Sequence, residues 1–193
     1  MSVDALERLR EMLRQQGGLI ATLVDRASVA HVDLDREVAR EEVAHSLGEN
    51  GLDGPASLAA EGPLTEARSE EYELLVEAIY EGYLLHYGSP RVVCAPDADL
   101  RLLAGDRLYA IGLARLVELG DTPSVAELAD TITLSALAQG AGERQLADAI
   151  WLAGARAVGW GSSEAHRRAK RLVSAGAPEA IEAMRTSALP ARA

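Results

Sequence analysis

The sequence predicts an all-α fold, a single domain of about eight helices that are mostly antiparallel neighbours. Two features of composition and one of patterning lead there. Aromatic residues make up only 4% of the 193 residues and Phe is absent, while 48% of the chain is hydrophobic. The core must therefore come from Ala, Leu and Val, which suits close-packed helices better than a β-sandwich, with its β-branched and aromatic side chains. Apolar residues recur at helical spacing along most of the chain, and no stretch alternates with the period of a strand. The length is that of one ordinary domain able to bury a real core.

Leu6, Leu9 and Leu13 predict a first amphipathic helix over Asp4 to Gln16, stopped by Gly17-Gly18. A second periodic stretch from Leu19 to Leu47 holds Ile20, Leu23, Val24, Val38 and Val43, with Asp33 and Asp35 as caps near its middle. It reads as two helices or one broken one, completing an N-terminal helical segment, residues 1–47. The run 48–63 concentrates Gly, Pro, Asn and Asp; it reads as a loop or mobile connection and is the best internal boundary.

The rest of the helical core is expected over residues 64–186. Its first helix starts at Thr65 or Ser69, runs through Tyr72, Leu75, Val76, Ile79, Tyr80 and Tyr83, and ends at Gly88-Ser89-Pro90. The Glu-rich first turn suits the helix dipole. Arg91 to Ala98 lacks a helical period and reads as an irregular connection. Leu100 to Glu118 is apolar on nearly every side, which predicts a central position. Thr122 as cap and Pro123 in the first helical position open a helix over Ser124 to Leu137. Helices follow over Gln145 to Val158, from Ser162 or Ser163 to Ala175-Gly176, and from Pro178 to Met184.

With 30 acidic against 19 basic residues the chain carries a net charge of −11, and its pI is near 4.8. Nucleic-acid binding draws most of its affinity from Lys and Arg that neutralise phosphates, so a general nucleic-acid binder is excluded. The single Cys94 cannot form an internal disulfide and reads as a small buried hydrophobe. The first eighteen residues mix acids and bases, unlike a signal peptide, and no apolar run approaches bilayer length. A cytoplasmic protein without a transmembrane segment is expected.

Nucleotide-binding, zinc-protease and dithiol motifs are absent. The four histidines, His31, His45, His86 and His166, are scattered. His31 with Asp33 and Asp35 has the composition of a metal cluster but is equally explained by capping. Asp97 and Asp99 read as caps of the following helix, and Glu70, Glu71 and Glu73 as a solvated acidic turn.

One segment says more. Leu100 to Asp121, LRLLAGDRLYAIGLARLVELGD, resembles the LAGD segment and long Ala/Leu helix of the trans-polyprenyl diphosphate synthases, the class I isoprenoid synthase family. The likeness has a register. Gly88-Ser89-Pro90 sits before Ala104-Gly105-Asp106 at the distance that separates the family's RRGxP motif from LAGD. Gly142-Glu143-Arg144-Gln145-Leu146 approximates the GExxQL signature, one residue short, and Ala157 to Gly176 resembles the family's Gly turn and following helix. The resemblance covers Leu74 to Gly176 and implies a truncated isoprenoid synthase fold; Asp106, within the LAGD match, reads as a structural carboxylate that bonds its neighbours near the helix start.

The same register shows what the chain lacks. In the family a DDxxD motif holds Mg²⁺ against the allylic diphosphate; here that position falls on Glu77-Ala78-Ile79-Tyr80-Glu81. The Arg pair that binds the second diphosphate falls on His86-Tyr87, and the chain ends before a second Asp-rich motif. The resemblance therefore implies no catalytic residues and no cofactor, with Mg²⁺ entering only if Glu77 and Glu81, one turn apart, still hold a cation. The expected role is a non-catalytic small subunit that pairs with a catalytic prenyl synthase chain and helps set product length. A stand-alone homodimeric pseudoenzyme that binds a lipid or regulatory ligand is the alternative. Tyr80, Tyr83, Leu108, Ile111, Leu113 and Leu116 are the candidates for the partner interface or an apolar cavity.

Overall fold

The computed structural model describes residues 3–24 and 54–190, and these are all-α, without a strand among them. Helix α1 spans Val3–Gln16, and residues 18–24 are helical again after the break at Gly17. Then come α2 (Pro55–Ala60), a 3₁₀ turn (Glu66–Arg68), α3 (Ser69–Tyr87), α4 (Ala98–Glu118), α5 (Thr122–Gly140), α6 (Arg144–Trp160), α7 (Glu164–Ser174) and α8 (Ala180–Ala188). The expected caps Asp33 and Asp35, with Val38, Val43, His31 and His45, lie outside the described residues.

Side-chain caps open three of these helices. Asp97 accepts from the Leu100 amide at 2.8 Å, Asp121 from Ser124 at 3.1 Å, and Ser163 from His166 at 3.1 Å. The cap of α5 is thus Asp121 rather than Thr122, because a carboxylate one residue earlier reaches the same orphan amides. Gly161, with φ +88°, makes the sharp turn between α6 and α7 that a side chain would strain. The last helix begins and ends later than expected, at Ala180 and Ala188.

Two hydrophobic clusters share α3. Leu75, Val76, Ile79 and Tyr83 face the larger one, with Leu116, Leu128, Leu134, Ile150, Trp151 and Met184. Ala78 and Leu85 face a smaller one with Leu9, Leu13, Leu23, Val92, Val93 and Leu108. Helix α6 is the other central element, buried at Leu146, Ile150, Trp151, Ala155 and Val158 among others.

Two expectations change here. The segment 48–63 contains a helix, Pro55–Ala60, with Ala56 and Ala59 in the larger core. The turn after it is pinned: the Leu64 amide donates to the Gly159 carbonyl at 3.0 Å, and the buried Thr65 hydroxyl donates to Ala59 O at 2.7 Å. Pro55 at the first helical position and two alanines were enough to form a turn and a half of helix once α3 and α6 offered a surface. Helix α4 is peripheral rather than central. Its buried row is Ala104, Leu108, Gly112 and Leu116, one residue per turn, against α3. Leu103 (60% exposed) and Val117 (64% exposed) point outward, so its all-round apolarity leaves an exposed face.

Candidate functional site

Glu77 and Glu81 lie one turn apart on α3, and the helix turns both into the interior, 1% and 0% exposed. Their counter-charge comes from the chain itself. Arg91, in the irregular connection after α3, places Nη2 on Glu77 Oε1 and Nε 3.2 Å from Glu81 Oε2. Glu81 Oε1 also accepts the amides of Arg91 (2.7 Å), Val92 (2.7 Å) and Val93 (3.3 Å), so one carboxylate shapes the connection as well as neutralising the guanidinium. Burial pushes the Glu77 carboxyl above its ordinary range, and Arg91 opposes that rise. A guanidinium thus sits between the two carboxylates that the sequence offers as candidate metal ligands. Among the described residues no group of three or more His, Cys, Asp or Glu is arranged to hold a metal ion.

The aromatic residues close over this ion cluster. The Arg91 guanidinium stands 5.2 Å from the Tyr80 ring centroid. Tyr80 meets Trp151 edge-on at 5.0 Å and stacks on Tyr83 at 5.8 Å, and Tyr83 lies 5.2 Å from Trp151. Gln139 donates to the Tyr83 hydroxyl at 2.6 Å. Burial pushes the Tyr80 phenol up to about 12. These rings pack α3 against α5 and α6.

The other sequence candidates are dispersed. Leu108 and Leu116 are wholly buried in this chain's own two cores. Ile111 and Leu113 are half-buried, against the smaller and the larger cluster respectively. His86 stacks on Tyr109 at 5.3 Å, and its Nε2 lies 3.2 Å from Asp106 Oδ1. The His86 ring also covers Gly105, where a Cβ would come within 2.5 Å of it. Asp106 and Gly105 of the LAGD segment thus serve the contact between α3 and α4.

A second polar cluster joins α5, α7 and α8. Glu127, 6% exposed, has Oε1 2.7 Å from His166 Nε2 and accepts from Lys170 Nζ at 2.9 Å on Oε2. The other His166 nitrogen lies 3.2 Å from Ser187 Oγ, and Lys170 also reaches Asp130 at 2.8 Å. Burial works against the charge on Glu127, but the bonds from His166 and Lys170 outweigh it and hold the carboxyl below its ordinary value. Beside it Tyr72 donates to Asp121 at 2.6 Å, which together with burial raises that phenol to about 12. Tyr72, Asp121, Ser124, Glu127, Gly161 and Ser162 line a half-open depression of about 490 Å³. The pairing of Glu127 with His166 is not visible in linear sequence. Its one signal is that each occupies an inward position, Glu127 beside Leu128 and His166 in register with Ala169 and Val173.

That lowered carboxyl has a consequence for acid stability. The stabilisation from Glu127 is complete above its unfolded value near 4.5 and is lost as pH falls through the lower folded value. Denaturant midpoints measured from about pH 6 to about pH 3 should therefore fall less steeply in Glu127→Gln than in the wild type. Parallel curves would show that the carboxylate contributes nothing there.

The chain matches no family model, no curated protein and no solved structure. None of the helices among the described residues is long and apolar enough to cross a membrane.

Proposed function

We propose that this chain is a non-catalytic partner subunit of a polyprenyl diphosphate synthase, one that helps set product length without turning over substrate. The observation that carries the reading is Arg91, seated between Glu77 and Glu81 at the register where the resembled family binds Mg²⁺. A metal there would have to displace a guanidinium held by two carboxylates, one of which is itself fixed by three backbone amides. The aromatic packing of Tyr80, Tyr83 and Trp151 supports the same reading, since it fills the space beside the carboxylates with side chains. The exposed apolar row on α4 is the surface such a subunit would offer to its partner.

That row also favours a second reading, the homodimer. Leu103, Ala110 and Val117 are evenly spaced about Ala110, so two copies of α4 crossing antiparallel at Ala110 would set Leu103 against Val117. Purification of the tagged protein from its native cells, with bound chains identified by mass, separates the two. Recovery of a synthase chain bearing both Asp-rich motifs, and a shift in its product length when this protein is added, is the expected result. Recovery of the protein alone as a dimer, with no effect on prenyl transfer, would move the assignment to the homodimeric pseudoenzyme. Turnover of isoprenoid diphosphates with Mg²⁺ by the isolated chain would overturn both.

A further inference from the structure

Helix α7 reverses the charge of the molecule around it. It carries Arg167, Arg168, Lys170 and Arg171 against the single acid Glu164, in a chain of net charge −11. Spacings of three and four residues set Arg167, Lys170, Arg171 and Ser174 along one side, where with Asp130 and Ala175 they line an open groove of about 600 Å³. Lys170 is engaged as a strut between Glu127 and Asp130. The two arginines are arranged differently, because both converge on one carboxylate. Arg167 donates to Glu164 Oε2 through Nε at 3.1 Å and Nη2 at 2.9 Å, and Arg171 donates to Oε1 at 3.2 Å. The Glu164 side chain is 72% exposed, so solvent competes for these bonds and the carboxylate is free to swing out.

We infer that this groove binds a phosphate-bearing small molecule, whose oxygens draw Arg167 and Arg171 away from the Glu164 carboxylate, which lies outside the groove lining. Paired guanidinium forks match the oxygens of a phosphate better than those of a carboxylate and carry a second positive charge to meet its second negative one. The source is a soluble ligand rather than a lipid surface. Ala169 and Val173 of α7 are buried and Leu172 packs on the core, so the only exposed apolar side chain of the helix is Ala165, too small to anchor it in a bilayer.

The test titrates inorganic phosphate and, separately, diphosphate into the full chain at low ionic strength, following amide shifts of α7 by NMR. Saturable binding is expected, tighter for diphosphate. Arg171→Gln should weaken it about tenfold, since one of the two forks is lost. Glu164→Gln should strengthen it by removing the internal competitor, and Arg168→Gln, whose side chain does not line the groove, should change it by less than about twofold. Thermal melts of the three variants should match the wild type, because all three side chains are exposed. The inference is overturned by the absence of saturable shifts with either anion. It is equally overturned if Arg168→Gln weakens binding as much as Arg171→Gln, if Glu164→Gln does not strengthen it, or if only vesicles containing phosphatidylglycerol move these signals.

Discussion

Arg91→Ala is expected to lower the unfolding free energy by about 3–5 kcal/mol, the usual consequence of removing one partner from a buried ion pair. The substitution leaves Glu77 and Glu81, 1% and 0% exposed, as like charges one turn apart with no guanidinium between them. Because protonation relieves that repulsion, the deficit should shrink as pH falls and widen as it rises. Two double variants distinguish an ion-pair effect from simple loss of packing. In Arg91→Leu with Glu77→Leu the remaining carboxylate keeps the amides of Arg91, Val92 and Val93, so part of the loss, about 2 kcal/mol, should return. In Arg91→Leu with Glu81→Leu those three amides lose their acceptor, and stability should stay low. Denaturant midpoints decide it, and a loss under about 1 kcal/mol for Arg91→Ala would show that the cluster is a loosely solvated one.

Gly62→Ala should be nearly as damaging, for a steric reason. A Cβ at Gly62 would lie 2.1 Å from the Gly159 carbonyl oxygen and 2.2 Å from its carbon, and neither backbone atom can rotate away. The pinned turn would have to separate from the end of α6, losing the bond from the Leu64 amide to the Gly159 carbonyl. About 3 kcal/mol of destabilisation is expected, the upper end of what overpacking costs. Gly140→Ala is the comparison: it ends α5 with nothing within 4 Å of its would-be Cβ and without a positive φ. There the substitution should stabilise by about 0.4–1 kcal/mol through the unfolded chain. Thermal melts of the two variants should therefore move in opposite directions, and equal shifts would contradict the close approach.

How far the linear pattern reached differs from element to element. Helices α3 and α5 to α7 were legible because apolar spacing and Gly stops agree along each of them, and α5 and α7 add an Asp or Ser cap. Helix α2 was hidden, since the Gly, Pro and Asn around it read as a loop and its six residues are too few for a period to emerge. The central position expected of α4 failed for a related reason. Apolarity on every side reports what a helix can bury, whereas only Ala104, Gly105, Leu108, Gly112 and Leu116 of this helix are buried, chiefly against α3.

Local chemistry along the chain was sufficient for the all-α class, most helix boundaries, and the position of two carboxylates one turn apart on α3. Those properties depend on neighbours within about four residues, which the order of residues states directly. The fate of those carboxylates was settled across the fold. Arg91 reaches Glu77 from fourteen residues away, and His166 reaches Glu127 from thirty-nine. A charge that reads as a candidate metal ligand or a solvated face in sequence becomes a satisfied interior ion once another segment delivers its counter-charge, because burial makes an unpaired charge too costly to keep.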